Sequence, residues 1–381
     1  MKKSIFFFAS ALLVLATAGC RKHSIDQPVA ADPKTEKIDF PVSANDDLAS
    51  LGRVLFYDKN LSHNNSVSCA SCHQQSKAFC DQQQFSTGLE GHKTPRNSPS
   101  IFARQGRMFW DARARSMTDL SLMPVKNHVE MKMPDLRALC QKLSGMEYYR
   151  SLFEQAFGTA DIDSNRIQLA MGEFLRNFDF SDNKFRRSRL NLARLNASEE
   201  LGRELFFGKA GCINCHTIID ERVPDRGYGR TDLSETFNIG LDEVYNDRGV
   251  GEVTGSASDY GMFLLPVLLN VEHTAPYMHD GRFRTLEEVV EHYNSGVKNH
   301  PNLSMHLRDL SKYPDTHRDQ VFIMLDKNRD NMLDASESES VPPKRLNLSH
   351  DEKRCLVAFL KTLTDDRIFT DKRFSDPFAA K

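Results

Sequence analysis

The pentapeptides Cys69-Ala70-Ser71-Cys72-His73 and Cys212-Ile213-Asn214-Cys215-His216 decide the fold of this 381-residue chain. In each of them two cysteines are separated by two residues and followed at once by a histidine, which is the attachment signal for a c-type haem. Two thiols at this spacing add across the two vinyl groups of one porphyrin, and the next residue places an imidazole under the ring as an iron ligand. The sequence therefore predicts two covalently bound haem groups.

Other uses of paired cysteines are redox disulfides or a zinc site with four thiolates. Zinc needs no histidine after the second cysteine of both pairs, and the two pairs are far apart in the sequence. Of the remaining cysteines, Cys140 and Cys355 are predicted to occupy core positions on helices.

The segments before the two pentapeptides repeat each other. Residues 51–57 read Leu-Gly-Arg-Val-Leu-Phe-Tyr and residues 201–207 read Leu-Gly-Arg-Glu-Leu-Phe-Phe. Each predicts an amphipathic helix that runs into a haem-binding loop. Helical spacing of apolar residues dominates elsewhere. The predicted fold is therefore mainly α, with two c-type cytochrome-like haem domains in tandem, at residues 43–190 and 195–375.

The first residues indicate export. Residues 1–20 combine an early positive pair with a short apolar stretch and end in Thr17-Ala18-Gly19-Cys20. This pattern predicts a lipoprotein-type signal with Cys20 as the lipid-bearing residue, and a plain secretory signal is the alternative. Either signal predicts an exported, periplasmic protein, and the first adds a membrane tether. Residues 21–42 are polar and predict a disordered linker.

The charge balance excludes a nucleic-acid partner. The chain carries 50 basic and 52 acidic residues, a formal net charge of −2. No block of like charge forms the basic footprint that binding to DNA or RNA requires.

Four further blocks reveal a family resemblance. They are Pro-Arg-Asn-Ser-Pro at 95–99, Phe-Trp-Asp-Ala-Arg at 109–113, Asn-His-Val-Glu-Met at 127–131 and Thr-Ala-Pro-Tyr-Met-His-Asp-Gly at 274–281. With the pentapeptides, they make most of residues 45–365 resemble the bacterial di-haem cytochrome c peroxidases, which include the MauG-type enzymes. The resemblance implies that the N-terminal haem, with ligand His73, reacts with hydrogen peroxide, and that the C-terminal haem, with ligand His216, relays electrons.

The resemblance also implies two catalytic residues. Glu130 matches the family's acid/base glutamate, which moves a proton between the two oxygens of peroxide. Trp110 is the only tryptophan in the chain and matches the one that carries electrons between the haems. The alternatives are a surface glutamate and a buried core aromatic residue.

Two departures from the classical pattern concern the remaining iron ligands. Where classical members have a distal histidine on the reactive haem, this chain has Leu89, with His92 three residues later. We expect an open site there, although His92 could reach the iron after a loop rearrangement or be a solvated loop residue. Where classical members have a methionine ligand on the second haem, this chain has Tyr293, as MauG-type proteins do. Two alternatives to Tyr293 as the iron ligand stay open. Another residue could bind the iron, namely His292, Met278 or Met305, or Tyr293 could simply be packed in the core.

Two calcium sites are expected. The resemblance implies a calcium between the domains, bound by Asn97, Thr274 and Pro276. Separately, residues 326–337 match a twelve-residue EF-hand loop within an insertion at about 312–343, and the alternative is an acidic solvated loop. The expected ligand positions of this loop are Asp326, Asn328, Asp330, Met332, Asp334 and Glu337.

These features predict a peroxidase that reduces hydrogen peroxide to water with electrons from a small exported cytochrome c or cupredoxin. A MauG-like oxidase acting on a protein or organic substrate is the second hypothesis. A di-haem electron carrier without catalysis is the third. Members of the family often form dimers, so a homodimer is a further expectation.

Overall fold

The computed structural model describes residues 46–102, 106–216 and 235–379. The predicted signal at 1–20, with Cys20, and the predicted linker at 21–42 lie outside these residues. The described part is mainly helical, which confirms the predicted class. Within it, no helix has both the length and the apolar character needed to span a membrane.

The first half of the chain contains eight α-helices among the described residues: α1 (Asp46–Tyr57), α2 (Cys69–Cys72), α3 (Met117–Ser121), α4 (Met123–Lys126), α5 (Leu136–Ser144), α6 (Glu147–Phe157), α7 (Ser164–Arg176) and α8 (Lys184–Arg189). The second half continues with α9 (Ala197–Phe207), α10 (Val250–Thr254), α11 (Leu286–Glu291), α12 (Arg318–Leu325), α13 (Ala335–Ser340), α14 (His350–Lys361) and α15 (Arg367–Thr370). A two-stranded antiparallel sheet joins β1 (Thr236–Phe237) to β2 (Phe263–Leu264), with Thr236 opposite Leu264.

Side-chain caps define where several of these helices begin. Asn196 before α9, Thr285 before α11 and Ser349 before α14 each accept a hydrogen bond from a backbone N–H of the first turn. In all three the glutamate three residues later bonds back to the cap residue, so two otherwise unpaired amides are satisfied at each helix start.

The sequence repeat becomes a repeated helix pair. Helix α1 packs on α7, and its counterpart α9 packs on α14. In both pairs the helices approach most closely at a glycine. A Cβ atom at Gly52 would lie 2.1 Å from the Ala170 carbonyl oxygen, and a Cβ atom at Gly202 would lie 1.9 Å from the Cys355 carbonyl oxygen. These distances are too short for any side chain. The glycine of each Leu-Gly-Arg repeat therefore sets how closely the two helices approach.

We expect Gly202→Ala to lower the free energy of unfolding by about 1–3 kcal/mol, because the added methyl group must push α9 away from α14. Gly145→Ala is the matched control, since its Cβ would come no closer than 3.4 Å to a neighbouring atom. Denaturant unfolding of the matured proteins measures both. Equal stability of Gly202→Ala and the control would contradict this account of the helix contact.

Two large hydrophobic clusters form the core. The first is built mostly from residues 51–180 and includes an aromatic group of Phe56, Phe79, Phe174, Phe178 and Phe374. The second is built from residues 185–363. The end of the chain returns to the first cluster, where the Tyr57 hydroxyl donates to the Phe374 carbonyl at 2.5 Å. Residues 368–374 thus pack with the N-terminal half.

Cys140 lies half-buried on α5, and Cys355 is buried on α14. Their predicted helical positions are confirmed.

Candidate active site

Both pentapeptides fold into a single tight turn. Helix α2 is one turn long, and a 3₁₀ turn at Cys212–Asn214 takes its place in the second copy. The same hydrogen bond closes each turn at 2.9 Å, from the N–H of His73 to the Cys69 carbonyl and from the N–H of His216 to the Cys212 carbonyl. This bond brings each histidine back beside its pair of cysteines.

The donor groups suit a covalently held porphyrin. All four cysteines of the pentapeptides carry free thiols, and burial raises their pKa values to about 11 or 12. His73 Nδ1 bonds to the Phe79 carbonyl at 2.8 Å, which leaves Nε2 as the nitrogen for a metal. Burial lowers the pKa of both histidines, that of His216 to about 4, although the Pro266 carbonyl opposes the effect. His216 Nδ1 itself is buried without a hydrogen bond of good geometry. Neutral imidazole is the form that binds iron.

A cavity of about 320 Å³ lies against the first pentapeptide. Cys69, Cys72 and His73 form part of its wall, and Glu130 and Trp110 line it as well. His73 is the one histidine among the described residues that line it. The structure therefore gathers the predicted first haem ligand and both predicted catalytic residues around one space.

Glu130 is held by the turn that follows α4. The Asn127 side-chain oxygen accepts hydrogen bonds from the N–H groups of Val129 and Glu130, at 2.8 and 3.3 Å. Gly88 packs against this turn, where a Cβ atom would lie 2.1 Å from the Val129 carbonyl oxygen. Burial raises the pKa of Glu130, and the positive charge of Arg113 opposes the rise. A carboxyl group whose pKa is raised in this way is suited to both accepting and returning a proton.

The residues after Gly88 leave the cavity. The Leu89 side chain is fully buried in the first hydrophobic cluster, and its N–H donates to the carbonyls of Val129 and Glu130. His92 is 61% exposed and lies 3.8 Å from the Glu90 carboxylate. In this arrangement His92 is a surface loop residue.

Trp110 lies between two cavities. It lines the first one and also a second, narrower cavity beside the second pentapeptide. Its indole N–H donates to the Asn97 carbonyl at 2.9 Å, and its own carbonyl accepts from the N–H of Leu264 at 2.7 Å. These two bonds fix the ring between the predicted haem positions.

The second cavity brings His216 and Tyr293 together. Tyr293 lies in a one-turn π-helix, His292–Gly296, that continues α11. Such turns hold an extra residue, which changes the direction of the side chains, and they occur often at functional sites. The Tyr293 ring is enclosed, and burial raises the pKa of its hydroxyl.

The rival ligands are placed differently. His292 Nε2 bonds to the Ile239 carbonyl at 3.0 Å, and neither His292 nor Met305 lines the second cavity. Met278 lines both cavities. Tyr293 and Met278 are therefore the candidates that the geometry retains.

Comparison with known proteins assigns the family. Residues 46–191 match the profile CCP_MauG, di-haem cytochrome c peroxidase. A cytochrome c551 peroxidase of Nitrosomonas europaea is 31% identical over 69% of this chain and 77% of its own length. A methylamine utilization protein MauG of Methylorubrum extorquens is 31% identical over 79% of this chain and 80% of its own length. The chain belongs to the di-haem cytochrome c peroxidase and MauG family. It is accordingly an oxidoreductase of a haem-binding family.

Solved structures agree with this assignment. A MauG-like protein associated with microbial copper homeostasis has a TM-score of 0.69 and 31% identity, covering 92% of this chain and 98% of its own. The di-haem peroxidase BthA of Burkholderia thailandensis has a TM-score of 0.63 at 22% identity and shares the fold.

The residues expected to bind the family's interdomain calcium meet at the first cavity, which Asn97, Thr274 and Pro276 all line. The Asn97 side-chain NH₂ donates to the Gln83 carbonyl at 2.9 Å, and its main-chain N–H donates to the His279 carbonyl at 2.7 Å. Asn97 therefore joins segments from both halves of the chain.

The predicted EF-hand loop connects α12 to α13. Asn331, at the usual glycine position, has a φ angle of +64°, the left-handed conformation that this position requires. The Asp326 carboxylate accepts from the N–H groups of Asp330 and Asn331, and the buried Glu337 carboxylate accepts from those of Lys327 and Asp334. Helix α13 ends at Ser340, ahead of the two prolines. Among the described residues, no three or more His, Cys, Asp or Glu side chains converge as a metal site.

Sequence reasoning assigned no role to the charged residues around Trp110. Arg113 lines the first cavity, and Arg96 and Asp111 pair beside it. The signal was present in the block at 109–113, where an acid and a base flank the tryptophan. Arg96 and Arg113 line the same cavity as Glu130, a relation that no spacing in the sequence reveals.

Proposed function

We propose that the protein is a di-haem peroxidase with one c-type haem domain in each half of the chain. It reduces hydrogen peroxide to two molecules of water, using two protons and two electrons. The electrons come from a small exported redox protein, a cytochrome c or a cupredoxin. The observation that carries the proposal is the first cavity, in which Glu130 faces the space beside His73 and no second histidine is present among the described lining residues.

Cys69, Cys72 and His73 hold the first haem, and Cys212, Cys215 and His216 hold the second. When bound, the first haem supplies the iron at which peroxide is held and reduced. The Phe79 carbonyl fixes the tautomer of His73, so that Nε2 faces the metal. The absence of His92 from the cavity supports a sixth position that is open without prior activation.

Glu130 moves the protons. As a carboxylate it accepts the proton of hydrogen peroxide, and as an acid it returns that proton to the departing oxygen. Trp110, which lines both cavities, provides the route by which electrons reach the first site from the second.

A MauG-like oxidase is the second candidate, and Tyr293 favours it. A tyrosine facing His216 supplies a hard anionic ligand, which stabilises oxidised iron and lowers the potential of the second haem. Such a haem stores oxidising equivalents better than it accepts electrons from a cytochrome. A carrier without catalysis is the weakest candidate, because it has no use for Glu130 in the first cavity.

Spectra and turnover separate the three functions. For either enzyme we expect one high-spin haem in the ferric protein, whereas a carrier would have none. Steady consumption of peroxide with reduced cytochrome c supports the peroxidase. A long-lived optical change after peroxide, with poor cytochrome turnover, supports the MauG-like function instead.

We also propose calcium at both expected sites. At the EF-hand loop, the left-handed Asn331 and the buried Glu337 support binding. Calcium that binds only the folded protein stabilises it, by about 2.7 kcal/mol when its free concentration is about 100 times Kd. We therefore expect calcium to raise the melting temperature, and the double variant Asp326→Asn, Glu337→Gln to lose much of that rise. Asp315→Asn, exposed and outside the loop, is the control. Equal calcium shifts in the double variant and the wild type would refute the loop site.

The export proposal rests on the first twenty residues. Mass spectrometry of the N-terminal peptide should find a diacylglyceryl group on Cys20. An unmodified N-terminus at another residue would favour plain secretion.

A further inference from the structure

The turn that carries Trp110 also carries Arg113 to the first cavity. Phe109 and Ala112 have φ angles of +66° and +59°, and the turn is closed by the bond from the N–H of Met108 to the Ala114 carbonyl at 2.9 Å. Left-handed conformations at two residues that are not glycine need support from the surrounding structure. Here they place Trp110 and Arg113 on the wall of one cavity.

The Arg113 guanidinium is fixed on two sides. Its central carbon lies 3.7 Å from the centroid of the Phe109 ring, within the range of a cation–π contact. Its Nη1 atom donates to both carboxylate oxygens of Asp111, at 2.9 and 2.8 Å. Two independent contacts keep a long side chain from turning away into solvent.

Asp111 is linked to the other half of the chain through Arg96. Arg96 donates to Asp111 at 2.5 Å and to both oxygens of Asp247 at 2.7 Å. The side chains of Arg96 and Asp111 are only 13% and 7% exposed. Asp111 is shared by two arginines, and Arg96 pairs with three carboxylates, those of Asp111, Asp247 and Glu252. This ion network therefore ties the position of Arg113 to the contact between the halves.

Arg113 and Glu130 line the same cavity, and Arg113 is fixed there as a cation. Burial raises the pKa of Glu130, and Arg113 is the charge that lowers it. The other titratable residues lining this cavity contribute little charge. The thiols of Cys69 and Cys72 become uncharged thioethers, and His73 and Tyr277 are neutral. Besides the Asp111 that it shares with Arg113, Arg96 has the carboxylates of Asp247 and Glu252 to balance its charge.

We propose that Arg113 is a positioning residue whose fixed charge keeps Glu130 in its carboxylate form, ready to accept a proton from the incoming ligand. The inference rests on the proposed acid/base role of Glu130. It adds that an ion network crossing between the two halves sets the protonation of that residue.

Cyanide binding to the ferric protein tests this without turnover. Hydrogen cyanide must give up its proton to bind as the anion, so a carboxylate at Glu130 accelerates binding by accepting that proton. For the wild type we expect the rate to rise with pH through one transition, at a higher pH than an exposed glutamate would give. Arg113→Gln and Arg113→Met should each move this transition upward by about one pH unit. Arg113→Lys should move it less, because the charge is kept.

Arg115→Gln, an exposed arginine two residues away, is the matched control and should leave the transition in place. Haem content, measured from the spectrum of the denatured protein, shows whether each variant has matured. If only one of Arg113→Gln and Arg113→Met matures, that variant alone is enough for the test. Glu130→Gln should remove the transition. If it does so while Arg113→Gln and Arg113→Met leave the transition unmoved, the role of Arg113 is overturned and that of Glu130 stands. If Glu130→Gln leaves the transition unchanged, both roles are overturned.

Discussion

Replacing Glu130 by glutamine should slow the reaction of the protein with hydrogen peroxide by about 10²- to 10⁴-fold, the usual contribution of a positioned proton-transfer group. The amide keeps the size of the side chain but can neither accept the peroxide proton nor return it. Stopped-flow absorbance of the ferric protein after mixing with peroxide measures the step directly, before electron donation begins.

The same experiment has a pH dependence with a definite sign. Because burial raises the pKa of Glu130, the carboxylate that accepts the proton is lost at a higher pH than for an exposed glutamate. The wild-type rate should therefore fall as pH decreases through that raised pKa, and the variant should show no such fall.

Glu154→Gln is the matched control, since Glu154 is exposed on α6, away from the cavity. It should react like the wild type. A Glu130→Gln protein with full haem content and an unchanged rate would show that the proton moves by another route.

Replacing Tyr293 by methionine should raise the reduction potential of the second haem by on the order of 0.1 V or more, within the wide range that axial ligands control. A phenolate ligand stabilises ferric iron, whereas a thioether stabilises the reduced form. A spectroelectrochemical titration, following the second haem separately, measures the change. Reduction of this haem by a cytochrome c should become more favourable as a result.

Tyr245→Phe is the control for this variant. Tyr245 is close to Tyr293, and its hydroxyl bonds to the N–H of Leu241 and to Asn238, but it does not line the second cavity. Its loss should leave the potential nearly unchanged. If Tyr293→Met leaves both the potential and the spectrum of the second haem unaltered, Tyr293 is a packing residue, and Met278 becomes the first ligand to test.

Much of the architecture could be predicted because it depends on patterns of residues that are close together in the sequence. The helix preceding each pentapeptide follows from apolar spacing, and the start of α14 follows from the cap at Ser349. The one-turn geometry of each pentapeptide follows from its own spacing, since a single helical turn brings the two cysteines to one side.

Other features depend on contacts between distant residues. The sequence placed Leu89 at the distal position and left open whether His92 could reach the iron. In the structure neither residue lines the first cavity, and the preceding Gly88 packs against the Val129 carbonyl. The packing of residues 368–374 on the N-terminal cluster could not be predicted from nearby residues either. It is stabilised by contacts with aromatic side chains that are distant in the sequence.

The sequence by itself determined the mainly helical class, the two pentapeptides and the repeated helices that precede them, because each depends on residues close together in the chain. The tertiary structure was needed to show that Trp110 lines both cavities, that Tyr293 and His216 line the second one, and that Arg113 and Glu130 line the first. Those relations join segments more than 15 residues apart, and their distances are set by how the helices and turns pack rather than by any local preference.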